Sequence, residues 1–397
     1  MNTSLFPDSL FKFIADNINE SPSSLRFRFH GKSADFDTDL AITQIECRKK
    51  YHRKLASFIS NPHFIFPSSI AAEQASHEAI AKYHASLFSP EDKVIDMTAG
   101  LGIDSMTVAK NVKWMAAYEY DRHKALCLSH NKSVLGIDNM TVYESDSTTD
   151  RILWDNDVTI FIDPARRNGE NARMYNLHDC TPDILSLQDE ILDACKCLII
   201  KASPLLDISR TITDIPHAFS IRCVCVEGEC KEVLVMAKKG ASLSSLEAVN
   251  LARNGISLSE FKYNPDETGL PVTFATMADL SEEIFLYEPD AAVMKFAPWK
   301  IISSRFNGIL KMGPSSHLFI SNNLFSDFPG RTLRIKGIIH KKGMKSLKGL
   351  HANVVSRNHP LSADDLRKRL GIKEGKDSFI YGTRICDKPV LILAERL

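Results

Sequence analysis

The segment VIDMTAGLGIDS, residues 94–105, decides which fold the centre of the chain can adopt. An apolar run ends in Asp96, and two glycines separated by one residue precede Asp104. This order predicts a β-strand that passes through a tight glycine turn into an α-helix, as in nucleotide-binding parallel sheets. The dinucleotide fingerprint GxGxxG needs a third glycine, but the chain has Ser105 there, and the Asp104 carboxylate would repel a pyrophosphate. We therefore predict a nucleoside-like ligand without phosphates.

Short apolar segments alternate with helical ones downstream of this segment, up to about residue 202. Strands that alternate with helices predict a parallel sheet with right-handed crossovers. Two later strands, 221–226 and 233–237, are separated only by EGECKE, which is too short for a crossover helix and predicts an antiparallel hairpin. The predicted fold class is therefore α/β, with a Rossmann-like sheet of seven strands, a helical region before it and a small α+β module after it.

The composition indicates a folded protein of several domains. The chain has 397 residues, of which 44% are hydrophobic and 25% charged, and this length suits two or three domains. The N-terminus has no basic start followed by an apolar stretch, and no run of about 18 apolar residues occurs. We therefore expect a cytoplasmic protein without a membrane span, and a monomer.

The cysteine pattern bears on redox and metal chemistry. The nine cysteines include no CxxC pair, which disfavours zinc ribbons and disulfide frameworks. Cys195 with Cys197, and Cys223 with Cys225, have a spacing of two, which places both thiols of a pair on one face of a strand. Small buried side chains explain this spacing better than metal ligands do, so we expect no metal.

The charges are distributed unevenly along the chain, although the formal net charge is zero. Residues 331–397 contain 16 Lys and Arg against 6 Asp and Glu, whereas residues 1–330 contain 33 against 43. A basic module attached to an acidic body is typical of proteins that hold a polyanion. Charge alone leaves a solvated basic surface equally open.

Acidic residues follow four successive predicted strands: Asp96, Glu119, Asp146 and Asp163. In an open parallel sheet, ligands bind beyond the carboxyl ends of the strands, so we expect these carboxylates at one edge. S-adenosylmethionine fits such an edge because it has an adenosine, a sulfonium and an amino-acid end but no phosphate. Glu119 can accept hydrogen bonds from both ribose hydroxyls, and Asp146 from the adenine amino group. The predicted contacts with this cofactor are Asp96, Thr98, Ala99, Gly100, Gly102, Asp104, Glu119, Tyr120, Asp146 and Ser147.

The motifs on these strands resemble a known family. DMTAGLGIDS, AAYEYD, YESDST and FIDPARR, followed by the hairpin, are similar to the motifs of class I S-adenosylmethionine-dependent methyltransferases. The resemblance covers roughly residues 70–278, and DxTAGLGxD is similar to the start of some ribosomal-RNA guanine-N2 methyltransferases. It implies a catalytic domain over residues 86–278, preceded by a helical region over residues 1–85.

The motif Asp163-Pro164-Ala165-Arg166 stands where amino-group methyltransferases carry [DN]PP[YF]. A carboxylate and a proline-fixed carbonyl that accept both N–H bonds of an amine would direct its lone pair at a methyl group. We predict Asp163, Pro164 and Arg166 as catalytic, although no Tyr or Phe follows to stack on a base. DPAR is also similar to the motif of RNA uracil-C5 methyltransferases, but these need a cysteine where this chain has Lys201. Direct transfer to nitrogen or oxygen is therefore favoured.

The end of the chain resembles the accessory region of bacterial proteins that contain this kind of methyltransferase. Residues 279–330 are similar to a ferredoxin-like piece, and residues 331–397 to the THUMP RNA-binding module, on the segment ANVVSRNHPLSADDLRKRLGI and the strands after it. The resemblance implies RNA as a partner, and basic residues of this module would track its phosphates. The predicted RNA contacts are Lys341, Lys342, Lys345, Lys348, Arg357, Arg367, Lys368 and Arg369.

The function predicted from the sequence is methylation of a base nitrogen in ribosomal or transfer RNA. Two alternatives stay open. One is a methyltransferase that acts on a small molecule or a protein, and the other is a non-catalytic RNA-binding protein with a degenerate methyltransferase fold. The sequence leaves open the RNA, the base and the atom, and the roles of Glu73, Gln74, Lys201 and Glu229.

Overall fold

The computed structural model describes residues 6–166 and 177–397, and it describes the backbone alone for residues 166, 341, 342 and 345. The side chains of Arg166, Lys341, Lys342 and Lys345, which we predicted to be functional, therefore lie outside the described part. The chain forms two compact units. The first extends up to Glu227 and includes Lys231–Leu243 and Leu251–Ile256, and the second contains Gly228–Cys230, Ser244–Asn250 and Ser257–Leu397.

The first unit begins with helices that share an apolar core. These helices are α1 (Asp8–Asn17), α2 (Pro22–Phe29), α3 (Thr38–Tyr51), α4 (Ala56–Ile59), α5 (Ser69–Gln74) and α6 (Glu78–Ala85). Leu10 and Ile14 of α1, Leu25 of α2, and Ile42 and Ile45 of α3 are buried in one cluster. Burial of such side chains stabilises a fold by roughly 1.5–3 kcal/mol each, so the helices form a packed layer and not an extended arm.

The remaining elements of the first unit alternate between strand and helix, as the sequence predicts. They are β1 (Lys93–Asp96), α7 (Ile103–Ala109), β2 (Trp114–Tyr118), α8 (Arg122–Val134), β3 (Met140–Tyr143), β4 (Val158–Ile162), β5 (Ala165–Arg166), β6 (Cys180–Thr181), α9 (Ile184–Asp193), β7 (Cys197–Ala202), α10 (Ile208–Asp214), β8 (Ala218–Val226) and β9 (Glu229–Ala237). A 3₁₀ turn covers Leu177–Asp179.

The large sheet of this unit has the strand order β8-β9-β7-β4-β1-β2-β3. Strands β7, β4, β1, β2 and β3 are parallel, and in register Asp96 lies beside Ala117 and Phe161. β9 runs antiparallel to β7, with Lys201 opposite Leu234. The carboxyl ends of the parallel strands and the beginning of β9 therefore meet at one edge.

The prediction of seven strands in this sheet is too low, because the described residues alone contribute nine. The two additional strands are β10 (Ser245–Leu251) and β11 (Ser257–Tyr263), whose residues, except Leu251, are assigned to the second unit. Most residues of β11 are exposed, so its sequence lacks the apolar run that marks an inner strand. β10 is buried throughout, but Glu247 and Asn250 interrupt its apolar pattern.

The second unit contains an α+β module built on one further sheet. Its elements are β12 (Phe285–Pro289), α11 (Ala291–Phe296), α12 (Trp299–Arg305), β13 (Leu310–Lys311), β14 (Phe319–Ser321), β15 (Gly330–Ile339), a 3₁₀ helix (Lys341–Leu347), β16 (Asn353–Ser356), α13 (Ala363–Leu370), β17 (Ser378–Ile385) and β18 (Lys388–Arg396). The strand order is β13-β14-β12-β15-β18-β17-β16. Leu286, Ile320, Leu333, Tyr381 and Ile392 share one core, so the segments on either side of residue 330 form a single folded body.

Among the described residues, no helix combines the length and the apolar character that a membrane crossing requires.

Candidate active site

Hydrogen bonds to Asp96 hold the glycine turn after β1 in place. The Asp96 side chain is buried and accepts hydrogen bonds from Ser105 Oγ (2.5 Å) and from the backbone N–H of Thr98 (2.9 Å). Ser105, which replaces the third glycine of the dinucleotide fingerprint, thus has a structural role. Burial raises the pKa of Asp96 to about 7. Asp96 therefore holds the turn in place, and its two oxygens are engaged within the protein.

The two glycines of the turn adopt left-handed backbone conformations, with φ of 56° at Gly100 and 80° at Gly102. A Cβ at Gly102 would lie 2.1 Å from Leu128 Cδ1, so this position packs against helix α8. A Cβ at Gly100 would approach only the Thr98 carbonyl oxygen, at 4.0 Å. The space above Gly100 is thus open, and a ligand can approach the backbone there.

Asp104, on the first turn of α7, points into a buried network of charges. Its carboxylate accepts a hydrogen bond from Ser76 Oγ, lies 2.9 Å from His84 Nδ1, and lies 3.8 Å from Lys201 Nζ. Burial opposes the charge, but His84 and Lys201 outweigh it and lower the pKa of Asp104 well below its usual range. The contact of Asp104 with the cofactor stays a prediction, and in this structure its carboxylate is engaged by protein groups.

His84, on α6, connects Asp104 to the beginning of β9. The ring is fully buried, and its Nε2 lies 2.5 Å from Oε1 of Glu232, which is buried as well. Desolvation opposes protonation, but Glu232 and Asp104 together raise the pKa of His84 to about 10. The ring is therefore an imidazolium at neutral pH and donates a hydrogen bond to each carboxylate.

The network reaches the predicted catalytic motif through Lys201 at the end of β7. Its ammonium contacts Oδ2 of Asp163 and donates to Ser76 Oγ (2.9 Å). The carboxylates raise the pKa of Lys201 above its usual range against the cost of burial. Asp163 Oδ1 has no hydrogen-bond donor among the described residues, and the Asp163 side chain is 40% exposed. Asp163 thus has one fixed oxygen and one open oxygen.

The rest of the DPAR motif is held in place by main-chain contacts. The backbone N–H of Asp163 donates to Thr98 Oγ1 at 2.7 Å, which ties the end of β4 to the glycine turn. Pro164 is buried, and Ala165–Arg166 pairs with Cys180–Thr181. The hydroxyl of Thr98, predicted to contact a cofactor, therefore positions Asp163.

The residues predicted to hold an adenosine lie at the ends of β2 and β3. Glu119 is buried, and its Oε1 accepts from the backbone N–H of Asp121 (2.9 Å), while Oε2 has no donor in the described part of the chain. Tyr120 is 77% exposed, and Asp146 is exposed with Oδ1 accepting from Thr148. An acceptor at the end of β2 and an exposed ring beside it fit a ribose and a base.

Two further predicted cofactor contacts, Ala99 and Ser147, make structural hydrogen bonds. The backbone N–H of Ala99 donates to the carbonyl of Tyr118, and Ser147 Oγ donates to the carbonyl of Met97 at 2.8 Å. These bonds fix the loops after β1 and β3 against neighbouring strands. Of the predicted cofactor set, the open groups are therefore at Gly100, Glu119, Tyr120 and Asp146.

The described basic residues predicted to contact RNA differ in their surroundings. Lys348, Lys368 and Arg369 are exposed in the second unit. Arg367 Nη1 lies 3.9 Å from Asp364 Oδ1, on the same helix. Arg357 is paired with the buried carboxylate of Glu288 at 2.8 Å. Arg357 is thus held by a buried partner, whereas the other four lie on the surface of the module or pair locally.

The residues whose roles the sequence leaves open also have defined positions. Lys201 belongs to the buried network. Glu73 lies 3.0 Å from Lys50 Nζ on the surface of the first unit, and Gln74 is exposed beside it. Glu229 is exposed at the beginning of β9.

Sequence reasoning missed His84 and Glu232. A signal for Glu232 was present, because it precedes the apolar run VLVMA and so enters the sheet at the edge where Asp163 leaves it. His84 lies within a short helix and carries no such signal.

Comparisons with known proteins agree with this architecture. Family models of a ferredoxin-like domain and of a THUMP-like domain match residues 285–329 and 330–396. A solved structure, the "putative methyltransferase" of Porphyromonas gingivalis W83, is 27% identical, covers 98% of this chain and 97% of its own, and superposes with a TM-score of 0.84. No protein of curated function matches the sequence.

Two more solved structures align over shorter parts of this chain. An rRNA methylase of Streptococcus thermophilus is 17% identical over 41% of this chain and 95% of its own, with a TM-score of 0.30. A "putative class i s-adenosylmethionine-dependent methyltransferase" of Listeria monocytogenes is 12% identical over 62% of this chain and 92% of its own, with a TM-score of 0.37. Both superpose only loosely on this chain.

The chain therefore has a methyltransferase fold, and it ends in ferredoxin-like and THUMP-like domains. The resemblance inferred from the four motifs is confirmed, and so is the α/β fold class.

Proposed function

We propose that the chain is an S-adenosylmethionine-dependent methyltransferase that transfers a methyl group directly to a base nitrogen of ribosomal or transfer RNA. The observation that carries this proposal is the Asp163 carboxylate. One of its oxygens is fixed by Lys201, and the other, at the sheet edge that carries the glycine turn, has no donor within the described residues. A carboxylate held in this way is suited to accept a proton from an amine.

The open groups of the glycine-turn edge support the methyl donor. The backbone at Gly100 has room for the methionine part, Glu119 Oε2 can accept from the ribose, and the exposed Tyr120 and Asp146 are available to contact the base. The charge of the buried network also favours this methyl donor. When all five groups are ionised, the network has three carboxylates and two cations, and hence one negative charge in excess. Such a site favours a sulfonium and disfavours a phosphate.

The proposed chemistry places the amino group of a base against Asp163. The cofactor supplies a methyl group bonded to a sulfonium. Asp163 Oδ1 accepts an N–H of the amine and orients its lone pair, and the same oxygen can take the proton that the nitrogen loses once it is methylated. Lys201 prevents the carboxylate from rotating, and Ser76 holds the lysine. The end of β7 carries Lys201 and Ala202 and no cysteine, so no residue there supports a covalent uracil-C5 mechanism.

The C-terminal region supports RNA as the substrate. The THUMP-like match covers residues 330–396, and residues 331–397 carry the positive excess of the chain. A basic module of this kind supplies affinity for phosphates, whereas the base is selected in the catalytic pocket.

Two measurements test the proposal. Calorimetry should detect binding of S-adenosylmethionine and of its demethylated product, and absence of both would defeat the cofactor assignment. Transfer of a labelled methyl group to RNA from a deletion strain should fall at least ~100-fold in Asp163→Asn, on the scale of a lost general base. Asp155→Asn, which changes an exposed aspartate before β4, is the matched control and should transfer label like the wild type.

The same assay distinguishes the alternatives. Label in the protein or small-molecule fraction, with none in RNA, would favour a different acceptor. Donor binding without transfer to any fraction would favour a non-catalytic protein. Equal rates for Asp163→Asn and the wild type would remove Asp163 from the mechanism.

A further inference from the structure

A second buried carboxylate organises a cationic cluster in the second unit. Glu288, on β12, is buried, and its Oε2 accepts from Tyr381 Oη (2.6 Å) and Arg331 Nη1 (3.1 Å). Its Oε1 accepts from Arg357 Nε (2.9 Å) and lies 2.8 Å from Arg357 Nη2. Two guanidinium groups are thus anchored on one carboxylate, and we call Glu288, Arg331, Arg357 and Tyr381 the Glu288 cluster.

The two arginines of this cluster keep part of their binding capacity free. Their side chains are 41% exposed at Arg331 and 39% exposed at Arg357. Within the described residues, Nε and Nη2 of Arg331 and Nη1 of Arg357 have no hydrogen-bond acceptor. An arginine that serves only to neutralise Glu288 would not need to be duplicated, because one pair already balances the charge.

The surroundings fix the orientation of Arg331. Its guanidinium lies over the ring of Phe379, with 4.8 Å to the ring centroid, and it also donates to Tyr381 Oη at 3.2 Å. Arg396 lies over the same ring at 5.7 Å. A guanidinium held by stacking and by a buried carboxylate loses little conformational entropy when it binds a ligand.

The charges near the cluster favour an anion. Two guanidinium groups and one carboxylate leave one positive charge in excess. The charges of Lys311 and Arg357 both act on His317, whose pKa is lowered first by burial and then by these two cations. Asp290, which accepts a hydrogen bond from Ser259, also acts on Arg331 and offsets one positive charge. Arg396, which lies over the same Phe379 ring, supplies another, so one positive charge stays in excess.

We propose that Arg331 and Arg357 bind a phosphodiester group of an RNA strand. This inference rests on the proposed function in one respect, namely that the substrate is RNA. The planar donor arrangement of a guanidinium matches the oxygens of a phosphate. Two guanidinium groups fixed by one carboxylate can therefore bind one phosphate or two successive ones. The site differs from the predicted lysine contacts because its cations are pre-oriented.

Fluorescence anisotropy of the full chain with a labelled RNA hairpin of about 20 nucleotides tests the site, since phosphate contacts do not depend on sequence. Arg331→Gln and Arg357→Gln should each weaken binding about tenfold, and each should lower the slope of log affinity against log salt by about 0.7–0.9. Arg334→Gln is the matched control. Arg334 lies on the same strand, is 39% exposed, and pairs with the exposed Glu283. Its loss should change affinity less than about twofold.

A measurement on the unaltered chain guards against variants that misfold. The arginine side-chain Nε–H signals of Arg331 and Arg357 should shift in NMR spectra when the hairpin is added. Inorganic pyrophosphate is the second probe, and signals that shift with pyrophosphate but not with RNA would overturn the RNA assignment in favour of a free phosphate ligand. Signals that shift with neither, or glutamine variants equal to Arg334→Gln, would overturn the site itself. Donor binding by calorimetry is independent of these results, so failure of the methyltransferase proposal is recognised separately.

Discussion

The buried network of the first unit and the Glu288 cluster of the second both combine carboxylates with cations, but they expose them differently. His84 is fully buried and Lys201 is 13% exposed, and both lie between carboxylates. Arg331 and Arg357 are 41% and 39% exposed and keep donors that have no acceptor in the described part of the chain. The difference indicates that the charged groups of the buried network hold one another in place, and that among its described groups only Asp163 is available to a ligand. The Glu288 cluster, in contrast, presents its cations to a ligand.

Removal of the cation at the centre of the buried network should have the largest effect. His84→Leu leaves Asp104 and Glu232 without the imidazolium that both contact. A buried charge that loses its partner typically costs roughly 3–5 kcal/mol. Denaturant unfolding of the full chain should show a loss of this size in the first unit. A loss below about 1 kcal/mol would mean that the network does not depend on a charged His84.

The pH dependence of stability should report the same imidazolium. The folded pKa of His84 is raised to about 10 from the usual 6.5, so its contribution is fully present below about pH 6.5 and is lost as pH rises through about 10. The wild type should therefore lose a few kcal/mol of unfolding free energy between about pH 6.5 and 10 that His84→Leu does not lose. Parallel curves for the two proteins would contradict the assignment.

Asp96 provides a further contrast, because this buried carboxylate is bonded to Ser105 and the Thr98 backbone and pairs with no cation among the described residues. Its folded pKa of about 7 lies above the unfolded value of 3.8, so the folded state holds the proton more tightly and stability falls as pH rises from about 4 to 7. Asp96→Asn removes this titration. Relative to the wild type, the variant should gain about 1–3 kcal/mol between about pH 5 and 8, measured by chemical unfolding at both values. A constant difference would show that Asp96 stays ionised.

The smallest effect is expected for Arg331→Gln, on the free energy of unfolding. In Arg331→Gln, Glu288 retains Arg357 and Tyr381, and the arginine that is lost is half-exposed. Ion pairs of this kind contribute at most about 1 kcal/mol. The unfolding free energy should change by less than that while RNA affinity falls. A large stability loss with unchanged affinity would make the cluster a purely structural feature.

The fold of the first unit and part of its site could be predicted from the sequence for one physical reason. Parallel strands end at a common edge, so Asp96, Glu119, Asp146 and Asp163 had to lie near one another once the alternation of strands and helices was recognised. The hairpin of the strands predicted at 221–226 and 233–237 followed from the connection EGECKE, which is too short for a helix. Whether a given oxygen faces a ligand or a neighbour was not predictable, and Asp96 and Asp104 face neighbours.

Contacts between distant parts of the chain limit what the sequence predicts. His84 and Glu232 are separated by 148 positions, and Glu288 and Arg357 by 69. Local patterns report helical and strand periodicity, and they do not report which charged side chains are brought together. Arg357 was therefore predicted as a loop residue facing RNA, without its carboxylate partner.

The bonds of His84 also show that the helices before residue 86 belong with the sheet of the first unit. A polypeptide shortened to start at residue 86 would lack both Ser76 and His84, and it would leave the buried carboxylates of Asp104 and Glu232 with no imidazolium between them. The N-terminal helices therefore complete the charge network of the first unit. Hydrogen exchange should show α6, α7 and β9 opening together, as one cooperative folding unit.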